Sequence, residues 1–190
     1  MASQNAANDQ WHHMEAGDKV SGELESLIMA HHRANYDLWH QEDAARSPDA
    51  SDGVIAEVKH AIDRLNQLRN DLVEQIDGLL IRLAGEQNQQ ASLHSETPGL
   101  MIDRLSILAL KIYHTDEEAH RADASEQHRQ RNVNRLIVLE QQRTDLAQCL
   151  EQLWTQVIRG ERCFRLYRQM KMYNDPELNP VLYTRASQVR

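Results

Sequence analysis

The strongest constraint on the fold is a stripe of apolar residues between residues 52 and 84. Apolar side chains recur there at intervals of three and four, the spacing that places residues on one face of an α-helix. The stripe consists of Ile55, Val58, Ile62, Leu65, Leu72, Ile76, Leu79 and Leu83. It continues for about four heptads, which predicts one long amphipathic helix from about Asp52 to Ala84, closed by Gly85.

The rest of the chain has the pattern of an all-α protein. Its 190 residues include only 7 glycines and 4 prolines, so helix breakers are scarce. A first helix is predicted from about Ser21 to Arg46. A third begins with Thr97 as N-cap and Pro98 at the first helical position, and a fourth begins near Ser125. The third is apolar on more than one side, which indicates a central place among the helices.

These segments predict an up-down bundle of four long helices with a C-terminal helical extension. Gly160 bends or breaks the fourth helix, and the extension continues to about Tyr173. We expect residues 1–20 to form a mobile N-terminal arm, residues 21–173 a single helical bundle domain, and residues 174–190 an extended tail. No strand pattern is visible.

Charge and cysteine content narrow the functional classes. The net charge of -8 argues against general nucleic-acid binding, which needs clustered cations. Cys149 and Cys163 suit a reduced protein with both thiols in the core. No apolar run reaches the roughly 18–20 residues of a membrane span, and the N-terminus does not read as a signal peptide. We therefore expect a cytoplasmic protein, with a homodimer formed through exposed apolar helix surface as one option.

Several polar residues are predicted to lie in the interior of the bundle, from their position around their helix or from their height along the bundle. The resulting candidate polar pocket consists of His31, Asn35, Glu42, Arg46, Arg69, Asp103, His114 and Arg143. Counting residues from the turns between antiparallel helices shows which residues lie at the same height along the bundle. This count predicts an Asp103–Arg143 pair and places Arg69 near His31. One interpretation is a set of buried structural ion pairs, because unpaired buried charges are costly. The other is a pocket in which arginines bind a carboxylate or a phosphate.

A polar strip follows the apolar stripe of the second helix. It consists of Lys59, Asp63, Asn66, Asn70 and Asp77. Polar side chains beside a core often cap or hydrogen-bond a neighbouring helix, and this is the role that we predict for the strip.

Two Glu-x-x-His motifs raise the question of a metal. They supply Glu57 with His60, and Glu117 with His120, which resembles the motif spacing of helical di-iron proteins. Glu57 and His60 lie off the apolar stripe and all four residues lie near helix ends, whereas di-iron ligands project into the core. We therefore predict no metal and no cofactor.

Three segments, "LWHQEDAAR", "IDRLNQLRNDLVEQID" and "SETPGLMIDRLSILALKIYHTDEE", resemble an uncharacterised bacterial family, a domain of unknown function. The resemblance runs from about Ala34 to Trp154. It implies an all-helical fold and genes that often lie near glycosyltransferases for cell-surface polysaccharides, and it carries over no catalytic residue.

Two functions stay open. The resemblance favours a non-catalytic accessory or scaffold protein in cell-surface glycan assembly, with a partner from the glycosyltransferase pathway. The alternative is a small-anion binding protein or enzyme, with Arg69 and Arg143 as clamps, His31 or His114 in proton transfer and Glu42 orienting them. The first predicts that interior charges pair completely and leave no cleft. The second predicts an open pocket with unpaired donors.

Overall fold

Four helices make up most of the described chain. The structure, a computed structural model, describes residues 22–170. The helices are α1 (Glu23–Ala45), α2 (Asp52–Ala84), α3 (Pro98–His120) and α4 (Glu126–Ile158). The hydroxyls of Ser51, Thr97 and Ser125 each accept a backbone N–H from the first turn of the next helix. Such caps satisfy donors that a helix N-terminus leaves unpaired. The predicted all-α fold of four long helices is confirmed.

The start of α1 differs slightly from the predicted one. The helix begins at Glu23, and Gly22 rather than Ser21 occupies the N-cap position. Gly22 has a φ of 91°, a conformation that favours glycine because it has no Cβ. The predicted arm at residues 1–20 and the predicted tail at residues 174–190 lie outside the described residues.

The helices pack as two antiparallel hairpins, α1 with α2 and α3 with α4. Helix α3 also contacts both α1 and α2, which confirms that the helix with several apolar faces is the central one. Helices α1 and α3 run parallel, since His31 meets Asp103 and Trp39 meets His114 further along.

The apolar core lies towards the end of the bundle where α1 begins. Its buried members are Ile76, Leu80, Met101, Ile102, Leu105, Leu146, Leu153, Val157 and Phe164. Three of these nine come from the first two turns of α3 and one follows α4, so one cluster joins the two hairpins. Polar groups replace this core further along α1 and α3.

The predicted C-terminal helical extension is wrong for the described residues. Gly160 ends the helix with a φ of 71°, and β2 (Arg162–Cys163) then pairs in parallel with β1 (Ser92–Leu93). Residues 164–170 are not helical. Phe164 is 3% exposed and belongs to the apolar core, so its burial and the strand pairing outweigh the helical propensity of this segment.

Two further sequence predictions concern the cysteines and the membrane. Cys163 is buried as predicted, whereas Cys149 is exposed on α4, so the prediction of two core cysteines is half wrong. None of the helices within residues 22–170 combines the length and the apolar character that crossing a bilayer requires.

Candidate functional site

The candidate site is a buried polar cluster around Asp103, where three helices meet. It consists of His31, His32 and Asn35 on α1, Arg69 on α2, and Asp103 and Ser106 on α3. We call these six residues the Asp103 cluster. Helical spacing explains how the sequence builds it. His31 and His32 lie four and three positions before Asn35, and Asp103 lies three positions before Ser106, so these side chains share a helix face.

The Asp103 carboxylate accepts hydrogen bonds from three different side chains. His31 Nε2 donates to Oδ1 over 2.9 Å, and Asn35 Nδ2 donates to the same oxygen over 3.1 Å. Arg69 Nη2 donates to Oδ2 over 3.2 Å, and Arg69 Nε lies 3.0 Å from Oδ1. Both carboxylate oxygens are therefore occupied by donors from α1 and α2, so the cluster ties those helices to α3.

Ser106 extends the cluster by one turn. Its Oγ lies 2.8 Å from His32 Nδ1 and accepts a hydrogen bond from Asn35 Nδ2 over 3.0 Å. Asn35 thus joins Ser106 to Asp103 through a single amide group. Buried polar networks of this kind fix the packing of helices when their members are hydrogen-bonded.

The electrostatics of the cluster depend on Asp103 being ionised. Burial raises the pKa of this carboxyl, but the hydrogen bonds from His31 and Asn35 and the charge of Arg69 outweigh burial, so the pKa lies below its ordinary value. The aspartate is therefore an anion at neutral pH, matched by the Arg69 cation. Two nitrogen atoms of the cluster, His31 Nδ1 and Arg69 Nε, are buried without a hydrogen bond, although Arg69 Nε lies within ion-pair distance of Asp103 Oδ1.

The cluster contains the residue types of an acyl-transfer triad but not its geometry. A triad needs one histidine between a serine and an aspartate. Here Ser106 pairs with His32, whereas Asp103 pairs with His31. Ser106 and both histidines are 0% exposed, so a substrate cannot reach the hydroxyl. The arrangement pairs charges and holds three helices together.

The structure does not bring all eight predicted pocket residues together. His31, Asn35, Arg69 and Asp103 meet in the cluster. Glu42 and Arg46 pair with each other near the end of α1, with Arg46 Nη2 3.0 Å from Glu42 Oε2. Their side chains are 43% and 67% exposed, so the prediction that they lie inside the bundle is wrong. The last turn of α1 extends beyond the neighbours that would bury it.

The predicted Asp103–Arg143 pair is also wrong. Arg143 forms an ion pair with Glu140 on its own helix, three residues earlier. Asp103 faces α1 and α2 instead of α4. Two residues at the same height along the bundle axis form a pair only if their side chains also point towards each other. The height alone does not establish that direction.

His114 lies eight residues after Ser106 on α3, just over two helical turns beyond the cluster, in a group of aromatic rings. Its ring stacks on Trp39 with centroids 4.8 Å apart and an interplanar angle of 16°. Its Nδ1 lies 2.9 Å from Glu117 Oε2. The stack joins α1 to α3 a second time, beyond the Asp103 cluster.

The four candidate metal ligands do not converge. Glu57 and His60 are exposed on α2. Glu117 contacts His114, and His120 contacts a carboxylate on its own helix. Within residues 22–170, no group of three histidine, cysteine or acidic side chains is placed to hold a metal ion.

A second buried aspartate lies where α3 begins. Asp77 on α2 accepts hydrogen bonds from the Thr97 hydroxyl and, over 2.6 Å, from the Gly99 backbone N–H. Burial raises the pKa of Asp77, and the nearby Glu74 acts in the same direction, although both hydrogen bonds oppose them. The contact confirms, for this member of the polar strip, the predicted role of capping a neighbouring helix.

Sequence reasoning missed His32 and Ser106. Both lie next to residues that it did find, since His32 follows His31 and Ser106 lies one turn after Asp103. A serine on an apolar helix face and a histidine three residues before Asn35 were the available signals. His31 and Asn35, which were found, carry no obligatory charge either, so charge does not explain why His32 and Ser106 were missed.

Comparison with known proteins yields one family. A family model described as "Protein of unknown function (DUF4254)" matches residues 25–166, well over half of the chain. No curated protein and no solved structure matches.

Proposed function

Since the chain belongs to the DUF4254 family of proteins of unknown function, we propose that it is a non-catalytic accessory or scaffold protein in bacterial cell-surface glycan assembly. The observation that carries the non-catalytic part is the closed Asp103 cluster. Both oxygens of Asp103 are occupied by protein donors, and Ser106, His31 and His32 are 0% exposed. Groups that must act on a substrate have to reach it, and these do not.

The same cluster supports a structural use of the interior charges. Asp103 and Arg69 neutralise each other and link three helices, which is what a rigid binding platform requires. The accessory hypothesis predicts that interior charges pair completely and leave no cleft. Asp103 and Arg69 pair as it predicts, whereas the apolar end of the bundle does leave a cleft of about 1020 Å³. The link to glycan assembly comes from the family resemblance and its neighbouring glycosyltransferase genes.

Gene deletion with complementation tests both parts of the proposal. In the bacterium that encodes the chain, deletion is expected to reduce the surface polysaccharide, and the wild-type gene is expected to restore it. Restoration by His31→Gln and His114→Phe, with melting temperatures checked on purified protein, is the result expected of a non-catalytic protein. Unchanged polysaccharide after deletion would exclude the glycan role. A folded variant that fails to restore it would exclude the non-catalytic role.

One observation favours the second candidate, a protein that binds small anions. The Arg69 side chain is 27% exposed while its Nη2 donates to Asp103, so this cation is not fully enclosed by the protein. An anion added from solution has a cation to bind there, and arginine binds carboxylates and phosphates well. Melting with and without phosphate separates this candidate from the first.

A further inference from the structure

An apolar groove of about 1020 Å³ opens at the end of the bundle where α1 begins. All four helices line it, with Ile28 from α1, Leu83 from α2, Ile102 from α3 and Trp154 from α4 among the lining residues. Leu83 belongs to the apolar stripe of α2, yet it is 58% exposed. A contiguous apolar surface of this kind marks a place where a partner, a ligand or another segment of the chain binds.

The groove also contains the point where residues 1–21 join the helices. Gly22 and Glu23 are both among its lining residues. Ser21 is bonded directly to Gly22, so the N-terminal segment is attached at the rim of the groove. A tether of this length gives an attached segment an effective concentration in the range of about 1 mM, far above that of a separate partner in most cells.

The N-terminal segment carries apolar side chains suited to the groove. Trp11, Met14 and Val20 all precede Gly22. Trp11 lies 11 positions before Gly22 (22 − 11), and an extended chain of that length spans at most about 40 Å. The part of α1 that lines the groove runs from Glu23 to Met29, which is about 9 Å of helix. Trp11 can therefore reach along the whole part of the groove that α1 lines.

The C-terminal segment is less well placed. It leaves the described residues after Met170, beside Gln169, whose backbone N–H donates to Glu74 over 2.8 Å. Glu74 and Leu83 are nine residues apart on α2, and nine steps of about 100° place them on opposite sides of the helix. The C-terminal segment thus begins on the side of α2 that faces away from the groove.

We propose that residues 1–21 of the same chain fold back over this groove and that Trp11 is the side chain that fills it. The segment then covers Leu83 and Trp154 and stabilises the end of the bundle. This inference does not depend on the proposed role in glycan assembly.

A double-mutant cycle in the full chain tests the contact. Trp11→Ala is expected to lower the melting temperature by roughly 4 °C, whereas Gln10→Ala, its neighbour, is expected to leave it unchanged. In a Leu83→Glu background, Trp11→Ala is expected to have no further effect, because the groove then no longer accepts an indole. A melting temperature unchanged by Trp11→Ala, or equal losses in both backgrounds, would overturn the proposal.

Fluorescence provides a readout that does not depend on stability. Trp154 lines the groove and is therefore kept. In the full chain with Trp39→Phe, the difference between the emission with Trp11 and the emission with Trp11→Ala gives the contribution of Trp11. We expect its emission to be blue-shifted and protected from acrylamide relative to the same chain in urea, with both effects lost in Leu83→Glu. Emission equal to that in urea would refute docking. Protection that increases with protein concentration would refute docking within one chain, because a second copy would then be the occupant.

Discussion

Asp103 and Asp77 are both almost completely buried, but their surroundings shift their pKa values in opposite directions. Asp103 is 6% exposed and faces the Arg69 cation, and its pKa lies below the ordinary value. Asp77 is 2% exposed and faces the neutral donors of Thr97 and Gly99, with Glu74 nearby, and its pKa lies above the ordinary value. The contribution of Asp103 to stability therefore depends on its charge, whereas that of Asp77 depends on its shape and hydrogen bonding.

The largest expected effect is that of Asp103→Asn. The substitution keeps the size of the side chain but removes the negative charge, and one amide N–H then faces the Arg69 guanidinium. Breaking a buried ion pair from one side strands the other charge, and we expect a loss of about 3 kcal/mol in the free energy of unfolding. Urea unfolding at pH 7 measures it. A loss under about 1 kcal/mol would show that Asp103 does not depend on its charge.

Gly99→Ala tests the dependence of Asp77 on shape. A Cβ at residue 99 would lie 2.7 Å from Asp77 Oδ1, which is closer than carbon and oxygen can approach. Overpacking at such a site costs about 2 kcal/mol. Gly78→Ala is the control: a Cβ there meets nothing within 4 Å in the interior of α2, and stability is expected to rise by up to about 1 kcal/mol. Equal effects of the two substitutions would contradict the close contact.

Asp77→Asn is expected to lower the free energy of unfolding by less than Asp103→Asn or Gly99→Ala does. The amide oxygen can still accept the Gly99 N–H, and the amide nitrogen can donate to the Thr97 hydroxyl. No cation near Asp77 loses its partner, so we expect a loss of at most about 1 kcal/mol in urea unfolding at pH 7. A loss as large as that of Asp103→Asn would remove the contrast between the two sites.

The smallest effects are expected in the pH dependence of stability. The two aspartates contribute to it with opposite signs. The lowered pKa of Asp103 stabilises the fold above the ordinary carboxyl value of about 3.9, and this stabilisation disappears as the pH falls through the folded-state pKa. The raised pKa of Asp77 stabilises the fold most at low pH, and that contribution disappears as the pH rises through its folded-state pKa.

Melting curves of the wild type and both Asp→Asn variants between pH 3 and pH 7 check these signs. The advantage of the wild type over Asp103→Asn should narrow as the pH falls below about 4. The melting temperature of the wild type should fall relative to that of Asp77→Asn as the pH rises above about 4. Slopes of the same sign for both variants would contradict the assigned pKa directions.

The sequence predicted the helices well because their boundaries depend on local chemistry. Ser51, Thr97 and Ser125 bond the backbone within their own turns, and such signals need no knowledge of the fold. The segment after Gly160 failed because its conformation depends on distant partners. Phe164 enters the core, and β2 pairs with a strand that lies about 70 residues earlier.

The candidate site was predictable only in part. Helical phase found Asn35 and Arg69, since a polar residue among apolar ones must meet a partner. It failed at Glu42 because the neighbouring helices do not cover the end of α1. It failed at Arg143 because a long side chain can turn to a partner on its own helix. Phase locates a side chain on a helix, but the partner depends on how helices face each other.

Melting of Arg69→Met against the wild type measures whether the protein itself satisfies its interior charges. We would melt both proteins at pH 7 in buffer with sodium chloride and in sodium phosphate of equal ionic strength. The expected result is a melting temperature about 6 °C lower for Arg69→Met, which corresponds to about 2 kcal/mol, and no effect of phosphate on either protein. A variant as stable as the wild type, with phosphate raising the melting temperature of the wild type alone, would show that Arg69 is kept for an anion and would contradict charge pairing within the protein.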